Sequence, residues 1–267
     1  MKYKLITCDM DGTLLNSESL ISQENEAAVK RLAQNGILFS ICTGRSVQAT
    51  EPFHRQLGLT TPIIAYNGAR IVGTDYRETL YEECLRPSDA AYILALGAEL
   101  DAAMCIWSED RLYMNKMTHT AARYVDLVFT TPIMFAPEDP CFEGQKITKI
   151  LWNDTPDKAA KLVKALEGKV PETVSCFTST SEYIEFVDVK VSKGTGLLRL
   201  CERLGIAPEE TVAIGDGEND IPMLRAAGFG VAMKSAGEKV RAAADYVTLT
   251  NDENGVAAVL EKIMSEQ

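Results

Sequence analysis

Short apolar runs alternate with amphipathic segments along the first 66 residues of the chain. The run at 3–8 is rich in β-forming side chains, and the segment 23–35 has helical spacing behind Ser22, a good N-cap. The apolar stripe of this predicted helix consists of Ala28, Val29, Leu32 and Ala33. Two further apolar runs, 37–42 and 62–66, are separated by another predicted helix. This order of strand, helix, strand, helix and strand favours a parallel sheet with right-handed crossovers.

The same rhythm returns after residue 191. Apolar spacing predicts helices over 193–204, 221–227 and 254–264, and strands over 211–214, 229–232 and 246–249. Ser235 and Glu238 have the spacing of a capping box, which predicts one more helix starting after Ser235. We therefore expect the end of the chain to complete the sheet that its beginning starts.

The pattern between these two regions is different, and the change begins near residue 84. It predicts helices over 87–101, 118–128 and 156–166, a hairpin of strands 104–108 and 112–115, further strands over 147–152, 174–178 and 183–187, and a loop rich in proline and acid over 130–144. Hairpins mixed with helices are typical of an α+β domain. The sequence therefore predicts an α/β fold in which a Rossmann-like parallel-sheet core, residues 1–83 and 191–267, is interrupted by an inserted α+β cap, residues 84–190.

Composition and charge narrow the classes of function. The 267-residue chain is 46% hydrophobic, enough for a sizeable core, and carries a net charge of −11 without any run of lysine or arginine. This charge argues against nucleic acid and anionic membranes as partners. No apolar run approaches the ~20 residues of a membrane span, and the first strand leaves no room for a signal peptide. Seven scattered cysteines without a C-x-x-C pair fit a reducing compartment, so we expect a cytoplasmic protein.

Two carboxylates, Asp9 and Asp11, directly follow the first predicted strand. Like charges this close raise each other's pKa or require a cation, and a hard divalent ion such as Mg²⁺ would relieve the repulsion. A solvated acidic turn is the alternative. A calcium loop is excluded because Gly12 falls at the fourth position instead of the sixth, and the twelfth position is Leu20 instead of glutamate.

Other predicted strands also end in polar groups. Thr43 follows the second strand, and Asp216, Asn219 and Asp220 follow the strand at 211–214. Ligands of open parallel sheets bind outside the carboxyl ends of the strands. We therefore expect these side chains to share one site with the two N-terminal aspartates.

Lys193 stands at the start of a predicted helix, where the macrodipole disfavours a cation by up to ~1 kcal/mol. An exposed lysine at a tolerant helix end is one interpretation. The other is functional, because a site with several carboxylates needs a cation to admit an anionic substrate. Gly194 and Gly196 do not complete a phosphate loop or a dinucleotide fingerprint, so ATP or NAD binding of those kinds is not indicated.

Four motifs occur in a fixed order, with the predicted cap between the second and the third. They are DMDGTL at 9–14, CTGR at 42–45, SKG at 192–194 and GDGEND at 215–220. With these motifs the chain resembles the haloacid dehalogenase-like hydrolase superfamily, specifically the Cof-type sugar-phosphatase branch with an α/β lid. The resemblance covers nearly the whole chain.

The resemblance implies a role for each motif. Asp9 would attack phosphorus to form an aspartyl-phosphate, and Asp11 would protonate the leaving alcohol and then activate water. Mg²⁺ would be held by the Asp9 carboxylate, the Asp11 main-chain carbonyl and Asp216. Thr43 and Lys193 would bind the phosphoryl oxygens.

The remaining motif residues would have lesser roles. Asn219 would bind phosphate and, with Asp220, support Lys193 and the water shell of the metal. Gly44 would bind phosphate, Arg45 and the Asn67–Gly68 turn would contact the phosphate or the leaving group, and Asn67 would support the site. The implied substrate is a small phosphorylated metabolite, such as a hexose phosphate, a phosphorylated flavin precursor or pyridoxal phosphate. A phosphomutase acting on a sugar phosphate and a non-catalytic phospho-ligand sensor are the alternatives.

Overall fold

A computed structural model describes residues 2–136, 142 and 144–266 of the chain. The chain divides into two compact units. One unit, called the core unit here, combines Met1–Tyr81 with Ser192–Gln267, and the other, the inserted unit, is Glu82–Val191. No helix in the described part of the chain has the length and apolar composition that crossing a membrane requires.

The described helices and strands follow the chain in this order. The strands are β1 (Leu5–Cys8), β2 (Leu38–Ile41), β3 (Ile63–Ala65), β4 (Arg70–Val72), β5 (Thr79–Glu82), β6 (Met104–Ser108), β7 (Arg111–Met114), β8 (Ile133–Met134), β9 (Ile147–Asn153), β10 (Val174–Thr180), β11 (Tyr183–Asp188), β12 (Thr211–Gly215), β13 (Phe229–Ala232) and β14 (Tyr246–Val247). The α-helices are α1 (Gln23–Gln34), α2 (Val47–Gln56), α3 (Pro87–Glu99), α4 (His119–Val128), α5 (Pro156–Leu166), α6 (Lys193–Leu204), α7 (Ile221–Ala226), α8 (Glu238–Arg241) and α9 (Gly255–Ser265).

The core unit is built on a parallel sheet with the strand order β14-β13-β12-β1-β2. A parallel bridge between Cys42 and Ile64 joins β3 to the β2 side of this sheet. β1 pairs with β2 on one side and with β12 on the other, so Cys8 lies opposite Ile214. The carboxyl ends of β1 and β12 are therefore neighbours in the middle of the sheet.

Both faces of this sheet are covered, as expected of parallel strands. Ile6 and Cys8 on one face pack in the same apolar cluster as residues of α1 and α9, whereas Leu5 on the other face packs with residues of α6 and α7. Each fully buried leucine or isoleucine contributes roughly 1.5–3 kcal/mol. The continuous apolar runs of the sequence thus produce a sheet that is buried on both faces.

Two local predictions in the core unit are wrong. Ser22 caps α1 as predicted, since its side chain accepts a hydrogen bond from the Asn25 N–H. Ala33, however, is exposed, because the buried stripe of α1 ends at Leu32. The predicted capping box is also absent, because α8 begins at Glu238 behind Gly237, which has no side chain to cap it.

A small sheet of β3, β4 and β5, in which β3 and β4 are antiparallel, extends the core unit and was not predicted from the sequence. β4 has only three residues, and β5 is partly exposed, so neither shows a clear apolar pattern. The turn that connects β3 to β4 contains Asn67.

The inserted unit contains a six-stranded sheet with the order β10-β11-β9-β6-β7-β8. Neighbouring strands of this sheet are antiparallel, except for β7 and β8, which are parallel. The predicted hairpin is confirmed, and Glu109 and Asp110 turn it with positive φ. β8 lies inside the segment predicted as a loop, of which residues 137–141 and 143 lie outside the described residues. The predicted fold class, a parallel-sheet α/β core with an inserted α+β unit, is confirmed.

Candidate active site

Asp9 lies immediately beyond β1 and is buried, with 6% of its surface exposed. Its backbone N–H donates to the Ile214 carbonyl over 2.9 Å, which ties the residue to β12. The chain then makes a wide turn over Met10–Leu14, in which the Leu14 N–H donates back to the Asp9 carbonyl. The β1 ladder and this turn together fix the position of the Asp9 carboxylate.

The same turn brings Gly12 and Thr13 against Asp216 at the end of β12. Gly12 has φ +75°, and a Cβ atom there would lie only 2.4 Å from Asp216 Oδ2, so the position requires glycine. The Thr13 hydroxyl donates to Asp216 Oδ1 over 2.7 Å. Residues of the DMDGTL motif thus hold the Asp216 carboxylate of the GDGEND motif. The sequence did not predict this contact.

Lys193 is the first residue of α6 and is almost completely buried. Its ammonium group donates to Asp9 Oδ1 and Asp220 Oδ1, both over 2.6 Å. Burial alone would lower the lysine pKa, but the charges of Asp220 and Asp9 outweigh it and raise that pKa. Lys193 is therefore a fixed cation that orients the Asp9 carboxylate.

Asp220 is fully buried and uses both of its carboxylate oxygens. Oδ1 accepts from Lys193, and Oδ2 accepts from the backbone N–H groups of Asp216 and Gly217 over 2.9 and 2.8 Å. A Cβ atom on Gly215 would lie 2.4 Å from Asp220 Cγ, so the strand end must be glycine. Asp220 is thus an anchor that joins Lys193 to the loop after β12.

Asp9, Asp216 and Asp220 form an acidic cluster in which one carboxylate oxygen from each lies within 4.8 Å of the others. Burial raises the pKa of Asp9 well above its usual range, and the charge of Asp220 adds to this shift. Burial also raises the pKa of Asp216 to about 6, although the Thr13 hydrogen bond opposes the change. Three carboxylates face one ammonium group, so an excess of negative charge remains. Oxygen donors with unbalanced negative charge fit a hard divalent cation.

The Asp11 side chain does not belong to this cluster, and 57% of it is exposed. It forms a two-point ion pair with Arg45, whose Nε donates to Oδ2 over 2.8 Å and whose Nη2 donates to Oδ1 over 2.5 Å. The guanidinium itself is buried and lies over the Phe53 ring. Two residues that the sequence placed in separate motifs are thus directly bonded, and this partnership was not predicted.

Asn67 connects three further predicted site residues, Thr43, Gly44 and Asn219. The Thr43 hydroxyl accepts from the Arg45 N–H over 3.1 Å, and its carbonyl accepts from the Asn67 N–H over 2.9 Å. The Asn219 side-chain amide donates to Asn67 Oδ1 over 3.0 Å, and a Cβ atom on Gly44 would lie 3.0 Å from that oxygen. The predicted residues of the second and fourth motifs therefore meet at Asn67.

Fold and site together define an α/β enzyme with carboxylate chemistry at the carboxyl edge of a parallel sheet. The family model described as haloacid dehalogenase-like hydrolase matches residues 6–260 of the chain. The chain belongs to the haloacid dehalogenase-like hydrolase family.

Individual relatives agree with this assignment. The chain is 32% identical to phosphatase YwpJ of Bacillus subtilis, covering 98% of this chain and 100% of the relative. It is also 32% identical to the 5-amino-6-(5-phospho-D-ribitylamino)uracil phosphatase YwtE of the same organism, covering 99% of both. A crystal structure of a haloacid dehalogenase-like hydrolase from Bacteroides thetaiotaomicron is 30% identical, with a TM-score of 0.86 over 98% of this chain and 99% of that one. The resemblance read from the motifs is confirmed, and so is the predicted enzyme class, a haloacid dehalogenase-like phosphatase.

Proposed function

We propose that the protein is a Mg²⁺-dependent phosphatase that hydrolyses small phosphorylated metabolites, sugar phosphates or similar monoesters, through an aspartyl-phosphate. The observation that carries this proposal is the buried Asp9 carboxylate, which the Lys193 ammonium holds over 2.6 Å. A carboxylate that is buried, oriented and paired with a cation can attack an electrophile without first losing a water shell.

Lys193 has two tasks in this mechanism. It fixes the rotamer of Asp9 before the substrate arrives, and it supplies positive charge where phosphoryl oxygens carry negative charge in the transition state. Thr43, Gly44 and Asn219 would complete the phosphate contacts with hydroxyl, backbone and amide groups. Asp220 keeps Lys193 in place through its own hydrogen bond of 2.6 Å.

Asp11 is the acid and base of the proposed mechanism. It would protonate the leaving alcohol oxygen while Asp9 attacks, and then remove a proton from the water that cleaves the aspartyl-phosphate. In the structure its carboxylate is held by Arg45 in a two-point ion pair. An anionic phosphate group competes for the same guanidinium, so substrate binding would release Asp11 for proton transfer.

The residues that would hold Mg²⁺ are Asp9 and Asp216, through their carboxylates, and Asp11, through its main-chain carbonyl. When bound, the ion neutralises the negative charges of the carboxylates and of the incoming phosphate group. The raised pKa values of Asp9 and Asp216 support this assignment, because burial and the neighbouring carboxylates disfavour the ionised forms, which a further cation would favour.

For the substrate we propose phosphate esters of sugars and sugar alcohols. This choice is supported by the relative YwtE, which is named for a ribitol-phosphate derivative. The alignment with YwtE covers 99% of each chain. The four motifs recognise features that every phosphate monoester shares. We therefore propose that the inserted unit distinguishes one leaving group from another.

The test is release of inorganic phosphate from a panel of phosphorylated metabolites, with and without Mg²⁺. Asp9→Asn is the matched control, because it keeps the shape of the side chain but replaces the nucleophilic carboxylate with a neutral amide. We expect metal-dependent turnover by the wild type and none by the folded variant. Conversion of a sugar phosphate to its isomer without phosphate release would identify a phosphomutase instead. Binding without any conversion would identify a sensor.

A further inference from the structure

The turn Tyr66–Gly68 has an unusual backbone for a buried segment. Tyr66 and Asn67 are both buried, and both have positive φ, +51° and +57°. Left-handed backbone is unfavourable for residues other than glycine, and a tyrosine is a rarer occupant than an asparagine. Strain of this kind persists only where the surrounding structure holds it, and it is concentrated at functional sites.

Main-chain atoms of this turn contact two motifs, CTGR at 42–45 and SKG at 192–194. The Tyr66 N–H donates to the Arg45 carbonyl over 3.0 Å, beside the bond from Asn67 to Thr43. On the other side, Gly68 has φ +96°, and a Cβ atom there would lie 2.1 Å from the Ser192 carbonyl oxygen. The turn therefore touches the residue that immediately precedes Lys193.

The side chain of Asn67 adds a third connection. Its Oδ1 accepts the hydrogen bond from Asn219 Nδ2, and the missing Cβ of Gly44 leaves the space that this oxygen needs. Asn67 is 4% exposed, whereas Asn219 is only half-buried. The bond fixes the plane of the Asn219 amide from its buried side.

We propose that Asn67 is a positioning residue that sets the Asn219 amide for the phosphoryl group and does not itself contact the substrate. The proposal rests on the proposed function, and it specifies the supporting role expected of Asn67 in place of a contact with the phosphate or the leaving group. Asparagine suits the position for two reasons. It tolerates left-handed backbone, and its carbonyl oxygen accepts the hydrogen bond while adding no charge beside a phosphate site.

Asn67→Gly is the informative variant, because glycine adopts φ +57° without strain and removes the side-chain amide whose oxygen accepts from Asn219. We expect it to melt close to the wild type and to lose roughly tenfold in kcat/KM, about the effect of one hydrogen bond to a substrate-binding group. The loss should fall mainly on KM and on the inhibition constant of inorganic phosphate. Asn254→Gly is the matched control, since Asn254 has φ +59° but lies at the start of α9, outside the site.

A double-mutant cycle with Asn219→Ala separates the two possible roles of Asn67. If Asn67 acts through Asn219, the variant Asn67→Gly/Asn219→Ala is no worse than Asn219→Ala alone. Additive losses would show that Asn67 contacts the substrate directly, and an unchanged kcat/KM in Asn67→Gly would show that its side chain has no role. Either result overturns the proposal.

The same variants keep this proposal separate from the proposed function. If the wild type releases no phosphate from any ester, the proposed function fails. The cycle is then measured as the rise in Tm that inorganic phosphate produces in the presence of Mg²⁺. Non-additive losses of that rise would still support the role of Asn67. Additive losses, or no rise in the wild type, would overturn it.

Discussion

Thr13 is the residue whose role in the site is least evident from its chemistry. It has no charge and is completely buried, yet its hydroxyl bonds to Asp216 over 2.7 Å. This hydrogen bond orients a proposed metal ligand, and such supporting partners commonly change metal affinity by 10–100-fold. The threonine follows Gly12 in the first motif, but nothing in its spacing indicates which carboxylate it would reach.

Replacing Thr13 with valine keeps the shape of the side chain and removes the hydroxyl. We expect the Mg²⁺ concentration for half-maximal activity to rise by roughly tenfold, because Asp216 loses its orienting donor. Thr13→Ser retains the hydroxyl and should remain within a few-fold of the wild type. Equal half-saturation in the valine and serine variants would show that the hydrogen bond does not support the metal site.

His54 is a buried titratable residue outside the acidic cluster of Asp9, Asp216 and Asp220. Its Nε2 lies 2.8 Å from the Thr61 carbonyl, which can only accept, so Nε2 carries the proton. Nδ1 then accepts from the Tyr76 hydroxyl at 2.9 Å. Burial lowers the pKa of His54 below its ordinary value of 6.5, partly offset by the hydrogen bond to Thr61. The folded protein therefore favours neutral His54.

This preference predicts how stability depends on pH. An unfolded histidine binds a proton near pH 6.5, whereas folded His54 binds one only at lower pH. The contribution of His54 is thus complete above about pH 6.5 and is lost as the pH falls toward the folded pKa, with a slope of at most about 1.4 kcal/mol per unit. Urea denaturation from pH 5 to 7.5 should show this slope in the difference between wild type and His54→Gln. The exposed His119→Gln is the control, and identical difference curves for both variants would contradict the assignment.

At the scale of elements, the sheet of the inserted unit contains a buried ion pair between β9 and β11. Lys149 Nζ and Glu185 Oε2 are 3.1 Å apart, and the side chains are only 4% and 8% exposed. Removing one partner from such a pair leaves an uncompensated buried charge, which typically costs 3–5 kcal/mol. Neither Lys149 nor Glu185 can therefore be replaced alone without a large loss of stability.

We expect Lys149→Met to lower the free energy of unfolding by about 3–5 kcal/mol, measured by urea denaturation. Glu185→Leu should have a similar effect. The double variant Lys149→Met/Glu185→Leu should be more stable than either single variant, because no charge is left unpaired. A double variant whose loss equals the sum of the single losses would show that the two charges do not interact.

Apolar pattern predicted most elements because burial on both faces leaves a continuous run in the sequence. The bounds of α6 and β13 are as predicted, and β1 and β12 carry the predicted polar residues at their ends. β4 and β8 escaped prediction because two or three residues cannot show a period. Such short strands are defined by the strands that they pair with, β3 for β4 and β7 for β8, and not by a pattern of their own.

The residues that form the site were easier to predict than the contacts between them. The four motifs identified Asp9, Lys193 and Asp216 by residue type and by position after a strand or before a helix. Which residue bonds to which depends on the three-dimensional path of each turn. The bonds from Thr13 to Asp216 and from Asn219 to Asn67 therefore emerged only from the structure.

For the whole molecule, the acidic cluster predicts a link between metal binding and stability. The proposed Mg²⁺ ion would bind the folded site but would find no such cluster in the unfolded chain, so adding Mg²⁺ should raise the Tm. At a concentration 100 times the Kd, the gain is about 2.7 kcal/mol. Asp216→Asn should reduce this gain, because it weakens the proposed ligand set. A rise in Tm of equal size and concentration dependence in wild type and variant would place the metal elsewhere.

In the proposed mechanism, Asp9 becomes phosphorylated and Asp11 is needed to release the phosphate. The most direct measurement uses Asp11→Asn with p-nitrophenyl phosphate and Mg²⁺, because this good leaving group needs little protonation. We predict a burst of one nitrophenolate per enzyme, followed by slow turnover, with a phosphoryl group on the peptide containing Asp9 in acid-quenched samples. Nitrophenolate and inorganic phosphate released together from the first turnover, with no phosphorylated peptide, would contradict the account.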